Sequence, residues 1–423
     1  MQFLHIIGWV VLAAEIALAL PIAYLCLLAL SAILTARRRR VSADAPSSGG
    51  REHTTASAEP RFAVLIPAHN EEAMIGTLLA SLAELRYPRD HYTVYVVADN
   101  CTDRTAAIAE QTGWAKALVR TDATRRGKGY ALSWAFQRLH DQRPHYDAYV
   151  ILDADSIVVP GFLDAFAAEF ARGATAMQAC NTVLNTVESP STALRWLALT
   201  LMNHVRPLGR NGLGASSTLT GNGMCLSYEL LERFPWEAFG VAEDYQYYLT
   251  LVLSGQRVRY VPGALVRSHM PTSFAQLQTQ DIRWESGAPE TSTTRTGLRL
   301  IARGLRARDI VRLDAAAELF TPPLSLLLGS VAAIFVAALV VSLLLRSPLH
   351  ITLATLLALG LAGYCASAFA MLRPPRAVYT ALLYAPGYMA WKLWVQVVLR
   401  RSKKYAGKWT RTTRPAELPA EVK

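Results

Sequence analysis

From residue 3 to residue 36 the chain is an almost unbroken apolar run, closed by Arg37-Arg38-Arg39-Arg40. The run is too long for the core of a secretory signal, and its charge follows rather than precedes it. This pattern predicts a membrane-spanning helix whose basic end stays in the cytoplasm. Residues 41–60 are small and polar, with Pro, Ser and Gly, the composition of a flexible linker. Buried-strand patterns then recur at 61–67, 93–97, 116–120 and 147–153. Helical patterns separate them at 71–85, 103–112 and 130–139, the first with Ile75, Leu78, Leu79, Leu82 and Leu85 on one face. Strand and helix alternating at this interval imply a mostly parallel sheet wrapped by helices.

Beyond about residue 160 the rhythm becomes α+β. Helix 160–172 precedes strand 175–183, a long helical stretch covers 189–206, and a Gly-rich passage runs over 212–223. A helix opens at Val241-Ala242-Glu243-Asp244, and a strand follows at 257–261. Residues 299–312 interleave Arg with Leu, Ile and Val at helical spacing, which suits an interfacial amphipathic helix. Two spans are expected at 319–345 and 351–372, joined by Arg346-Ser347-Pro348-Leu349-His350. These two spans already return the chain to the cytoplasmic side. A further span at 377–399 would export a basic tail, so an interfacial or re-entrant helix is expected there.

The expected plan is therefore a first span at 1–40, a linker at 41–60 and a catalytic unit at 61–290. An amphipathic segment at 291–317, a membrane region at 318–399 and a basic tail at 400–423 complete it. Charge supports this plan. The net charge is +11, of which residues 37–40 carry four, and the tail, with eight Lys and Arg against two Glu, carries six. Basic clusters beside apolar segments suit anionic lipid head groups, and no nucleic-acid motif accompanies them. The five cysteines are scattered without a Cys-x-x-Cys pair, so neither a disulfide framework nor a zinc site is indicated, and a reducing compartment fits.

Candidate chemistry collects where strands end. The apolar run before residue 153 stops at Asp153-Ala154-Asp155. Carboxylates at i and i+2 of an extended chain share a face and repel unless a cation lies between them. Mg²⁺ is usually held by one or two carboxylates plus substrate phosphates. The tripeptide is thus a candidate metal–diphosphate site at a strand's carboxyl end, where open α/β sheets bind ligands. A strand running into a polar turn is the plain alternative. Lys128, between two glycines, can approach a phosphate closely as a point charge. Gln280, Arg283 and Trp284 share one helical face. Arg283 can fork onto an oxyanion, and Trp284 offers a flat apolar surface.

Taken in order, Asp99, Asp153-Ala154-Asp155, Glu243-Asp244 and Gln280-x-x-Arg283-Trp284 resemble the inverting family 2 glycosyltransferases of GT-A fold. Within that family the chain is similar to the membrane-embedded branch of cellulose, hyaluronan and chitin-oligosaccharide synthases and exopolysaccharide enzymes. The resemblance covers residues 60–290. It implies an α/β fold, a Rossmann-like mixed sheet flanked by helices, with transmembrane helices at both ends and a cytoplasmic catalytic domain in the plasma membrane. It implies a UDP-sugar donor, Mg²⁺ or Mn²⁺, a glycan or lipid-linked acceptor, and the synthesis of polysaccharide or oligosaccharide as the main function.

By the same resemblance Pro67, His69 and Glu71 line the nucleotide, and Asp99 accepts the uracil imide N–H. Asp155 is the direct metal ligand, with Asp153 toward the ribose and sugar; His269 is left outside the metal set. Asp244 is the general base. Its place at a helix start would by itself lower its pKa, so base action requires burial or the neighbouring Glu243 to offset that. Glu243, Gln280, Arg283 and Trp284 fall on the acceptor and diphosphate side. The structural alternatives are a helix start capped by Asn70, a capped start at Asp99, and glycines serving only as turn residues. Three firm spans are too few to enclose a glycan channel. Secretion of a polymer would need partner subunits, and transfer of a single sugar to a lipid-linked acceptor is the nearer alternative. A catalytically inactive nucleotide-sugar-sensing scaffold is the other class considered. A dinucleotide-binding dehydrogenase is excluded by the missing Gly-x-Gly-x-x-Gly after the first strand.

Overall fold

α1 (Gln2–Asp44) is a single helix that does not stop at the arginines. Arg is a good helix former and nothing in the run breaks the backbone. The start of the expected linker is therefore helical, and residues 45–58 lie outside the described residues. The computed structural model describes residues 2–44, 59–141, 146–272 and 294–397.

The α/β unit follows as β1 (Phe62–Ala68), α2 (Ile75–Ala83), β2 (Tyr92–Asp99), α3 (Thr105–Gln111), β3 (Lys116–Arg120) and α4 (Lys128–Asp141). It continues with β4 (Ala148–Ile151), β5 (Ser156–Val158), α5 (Phe162–Phe170), β6 (Ala176–Val183), α6 (Pro190–Thr200), α7 (Arg206–Gly212) and β7 (Met224–Ser227). α8 (Tyr228–Arg233), α9 (Glu243–Leu253) and β8 (Val258–Ser268) complete it.

The eight strands form one mixed sheet in the order β3-β2-β1-β4-β7-β6-β8-β5. The first four are parallel, and β7 runs antiparallel between β4 and β6. β1 shows why the sheet lies between helices. Phe62, Val64 and Ile66 pack with Leu78, Leu82 and Phe162 on one side, while Ala63 and Leu65 pack with Leu132, Tyr149 and Leu251 on the other. Period-2 alternation with both faces apolar demands cover on both. Register carries the functional consequence. Ile151 pairs with Met224, so the Gly-rich turn entering β7 lies beside the residues leaving β4.

α6 passes through a π-turn (Leu201–Val205) into α7, so the helical stretch expected to end at 206 reaches Gly212. There it meets α1 backbone to backbone. A Cβ on Gly209 would lie 2.2 Å from the Leu28 carbonyl oxygen, and Ser31 Oγ donates to the Gly209 carbonyl at 2.8 Å.

The single amphipathic helix expected at 299–312 is two helices, α10 (Thr294–Ala307) and α11 (Ile310–Phe320). Arg308 turns the chain through a left-handed φ of 52°, and Asp309 caps α11. The pair folds back on itself, with Gly304 against Leu313 and Gly297 against Phe320. α12 (Leu324–Leu345) starts five residues later than expected, because Leu319 and Phe320 belong to α11 and Pro322-Pro323 separates the two. With α13 (Leu349–Leu372) and α1 it makes, among the described residues, three helices long and apolar enough to cross a membrane. The stretch expected at 377–399 is split into α14 (Arg376–Ala381), a 3₁₀ turn, and α15 (Ala385–Val397). The basic tail lies outside the described residues.

Candidate active site

The ends of β1 and β2 are turned by asparagines with left-handed φ, 56° at Asn70 and 52° at Asn100. Asn tolerates this conformation better than other residues with a Cβ, apart from Asp. Each amide then holds the next loop: Asn70 Oδ1 accepts the Thr102 N–H at 2.8 Å, and Asn100 Oδ1 accepts the Asp122 N–H at 2.9 Å. Asn70 is therefore not the cap of α2, which begins at Ile75 without a side-chain cap.

Pro67 pairs with Val97 at this edge, and His69 Nδ1 lies 2.7 Å from the Asp99 carbonyl oxygen. The Glu71 N–H donates to Thr105 Oγ1 at 2.9 Å. Asp99 is buried, and its Oδ1 is 2.5 Å from Arg120 Nη1. Arg120 also donates to Asp122 and to the Arg125 carbonyl. The Asp99 carboxylate thus carries a guanidinium partner that no local sequence signal announced.

The second cluster forms where β4 ends. Lys128 Nζ lies 2.5 Å from Asp153 Oδ1, 2.6 Å from the Gly221 carbonyl oxygen and 4.0 Å from Glu243 Oε1. A Cβ on Gly221 would sit 3.0 Å from Asp244 Oδ2 and 3.3 Å from Lys128 Nζ, and this residue has φ +76°. Lys128, Asp153, Glu243 and Asp244, drawn from three separate parts of the chain, are thereby brought together. Lys128 faces carboxylates here rather than standing free for a phosphate. The loop before α9 is fixed against the first turn of α4. Phe239 stacks on Tyr130 at 4.5 Å, and the Ala238 carbonyl fills the space a Gly129 side chain would need.

Burial raises the Glu243 carboxyl to about 7, with the Asp244 charge adding to it and Lys128 opposing. Asp244 is also raised, by burial first, although the Tyr245 N–H at 2.8 Å and Lys128 pull the other way. Burial thus outweighs the helix-start effect that would lower it. For Lys128 burial acts to lower the pKa, but attraction to Asp153 and Glu243 wins and raises it.

Asp155, partly buried, lies beside His269: its carbonyl oxygen is 3.5 Å from the His269 N–H nitrogen. The His269 ring is 3.9 Å from Glu188. Among the described residues no group of three or more His, Cys, Asp or Glu is arranged to hold a metal ion. One or two carboxylates at a strand end do fit a cation that takes its other ligands from phosphate oxygens. Gln280, Arg283 and Trp284 lie outside the described residues. Two functional candidates were missed by sequence reasoning: Arg120, and Asn222, whose Oδ1 accepts the Asp153 N–H at 3.1 Å. Only the glycines beside Asn222 had drawn attention.

The mixed sheet carries an acid cluster and a lysine at the carboxyl end of its middle strand, and candidate membrane helices flank it. Residues 60–287 match the glycosyltransferase like family 2, more than half the chain, and the chain belongs to that family. It is 25% identical over 244 residues to a probable glycosyltransferase, YdaM, of Bacillus subtilis, covering 54% of this chain and 55% of that protein. To the beta-monoglucosyldiacylglycerol synthase of Synechocystis it is 27% identical over 232 residues, covering 54% and 48%. The chain thus spans about half the length of these relatives. A mannosyltransferase of Pyrobaculum calidifontis, solved with GDP-mannose and Mn²⁺, aligns with 84% of this chain and 98% of its own, at 20% identity and a TM-score of 0.47.

Proposed function

We propose that this glycosyltransferase moves a sugar from a UDP-sugar, with inversion at C1, to a hydroxyl presented at the cytoplasmic face of the membrane. The observation that carries the reading is Asp244, raised by burial and set against Lys128 and Asp153 at the sheet's carboxyl edge. A carboxylate with a raised pKa suits proton removal near neutral pH. Asp244 takes the acceptor hydroxyl's proton as that oxygen attacks C1, the C1–O bond to UDP breaks, and the configuration inverts. Lys128 holds Asp153 and adds positive charge beside the departing diphosphate. Asp155, with Asp153, would hold Mg²⁺ or Mn²⁺, which when bound neutralises charge on the leaving UDP. Asp99, held by Arg120, together with Pro67, His69 and Glu71, receives the uridine. Glu243, Gln280, Arg283 and Trp284 complete the acceptor and diphosphate side.

A lipid-carried acceptor is the reading favoured by the three membrane-length helices among the described residues, too few to enclose a growing polymer, and by the lipid named in the synthases among the relatives. Membranes containing the protein, given a panel of UDP-sugars and Mn²⁺, should yield a single lipid-linked adduct. A ladder of products would instead indicate polysaccharide synthesis, with export left to partner subunits. Asp244→Asn protein that still released UDP at the wild-type rate would remove Asp244 as the base, and wild type that bound UDP-sugars but released no UDP with any of them would favour a sensing scaffold.

A further inference from the structure

Asn222 sits in the turn entering β7, 1% exposed, and every hydrogen-bonding group of its side chain is used. Oδ1 accepts the Asp153 N–H at 3.1 Å, and Nδ2 donates to Ser156 Oγ at 2.8 Å and to Ser268 Oγ at 2.9 Å. The two hydroxyls lie 3.2 Å apart, and Ser268 Oγ donates onward to Asn181 Oδ1 at 3.2 Å. The proton assignment is consistent throughout: Asn222 gives two, Ser156 gives one to Ser268, and Ser268 gives one to Asn181. The Asn222 backbone is held as well, its carbonyl accepting from Gln178 Nε2 at 2.7 Å.

This side chain spans the acid turn. It binds Asp153, which opens Asp153-Ala154-Asp155, and Ser156, the residue just after it, and it anchors both to β8. Only a planar amide offers one acceptor face and two donors at such spacing. Ala154 is buried in the core beneath the turn, which leaves the two aspartates flanking it as the groups whose separation the anchoring controls.

We propose that Asn222 is a positioning residue that sets the separation of the Asp153 and Asp155 carboxylates and thereby the affinity of the turn for a divalent cation with diphosphate. The inference rests on the reading of those two aspartates as metal–diphosphate ligands. Asn211 supplies the control. It clasps β8 with a comparable pair of bonds to Tyr260, 2.6 and 3.2 Å, without touching the turn.

The test uses full-length wild type, Asn222→Ala, Asn222→Asp and Asn211→Ala in nanodiscs. Hydrogen exchange is followed at the Asp153 amide, and Mn²⁺ binding in the presence of UDP is measured by electron paramagnetic resonance. Asn222→Ala should exchange at least tenfold faster at that amide and bind Mn²⁺ at least tenfold more weakly. Asn222→Asp keeps the acceptor but loses both donors to Ser156 and Ser268, so it should exchange at least threefold faster than wild type. Asn211→Ala should leave both readouts within twofold while lowering thermal stability. The proposal is overturned if Asn222→Ala matches wild type within twofold in exchange and Mn²⁺ binding, or if Asn211→Ala weakens Mn²⁺ equally. If Asn222→Ala does not fold, Asn222→Asp decides: exchange and Mn²⁺ binding both within twofold of wild type, despite the loss of both donors, overturn the proposal. Wild type that binds no Mn²⁺ with UDP would sink the metal reading instead, and the exchange rates would still decide whether Asn222 holds the turn.

Discussion

The ammonium of Lys128 stands 2.5 Å from the Asp153 carboxylate, and the same ammonium faces Glu243 at 4.0 Å. One cation therefore offsets Asp153, Glu243 and Asp244 together. Lys128→Met keeps most of the stem but removes the charge. Turnover per unit donor should fall on the order of a hundredfold, typical when a preorganised donor at a reacting centre is lost. Steady-state kinetics with the donor that proves active would measure it, and a loss under threefold would rule Lys128 out of the site.

The pH dependence follows from the same cluster. Glu243 is raised to about 7 and Asp244 is raised with it, so the pair must lose protons before a base is available. Asp244 is the base, so activity should climb with pH along an acid limb above the ordinary carboxylate range. Stability runs the opposite way. An acid raised in the folded state favours the protonated form, so its contribution is complete below the ordinary carboxylate pKa and is lost as pH rises through about 7. Glu243→Gln should move the limb to lower pH and flatten the stability change. Lys128→Met should move the limb upward, because the lysine holds both carboxyls down. Limbs moving together in the two variants would refute the assignment.

The acid edge was legible because β4 is an apolar strand that ends at once in charge, and strand ends are where α/β sheets expose side chains. Lys128, Glu243 and Asp244 could be named for similar local reasons. Their meeting could not be, since it depends on β7 entering antiparallel beside β4, a choice of sheet order that no window of sequence encodes. Arg120 and Asn222 were missed for that reason. Arg120 reads as the last residue of an ordinary edge strand, and Asn222 as a turn residue between glycines, until the strands are set side by side. In the membrane region hydropathy located the spans. It missed the continuation of α1 through its arginines and the reversal at Arg308, where no Gly or Pro marks the break.

Gly221 separates backbone strain from site crowding. Gly221→Ala places a methyl 3.0 Å from Asp244 Oδ2 at a φ of +76°, whereas Gly214→Ala meets nothing within 4 Å at a nearly equal φ of +78°. Both should lose about 1–2 kcal/mol from the left-handed backbone. Only Gly221→Ala should also lose activity, by tenfold or more, as Asp244 and Lys128 are pushed apart. Thermal unfolding compared with initial rates would separate the effects. Equal activity losses in the two variants would mean that the glycine serves the turn alone.

The seam between α1 and α7 makes the membrane anchor part of the catalytic unit. Gly209 admits the Leu28 carbonyl to a position 2.2 Å from where a Cβ would stand, and both partners are helix backbone that cannot rotate away. Close approach through small residues is how helices associate where apolar surface alone gives no preference. Around this seam Arg206 and Arg210 are buried with Asp314 and Glu318, and Tyr24 of α1 and Tyr364 of α13 bind into the same network. Moving α7 away from α1 would therefore disturb paired charges as well as packing. Gly209→Ala should destabilise the protein by about 1–3 kcal/mol, the usual range for overpacking. Gly76→Ala, in α2 with open space around it, should be neutral or stabilising. Thermal unfolding in one detergent would measure both variants, and a Gly209→Ala protein as stable as wild type would show that the first helix and the catalytic domain are not held together at this contact.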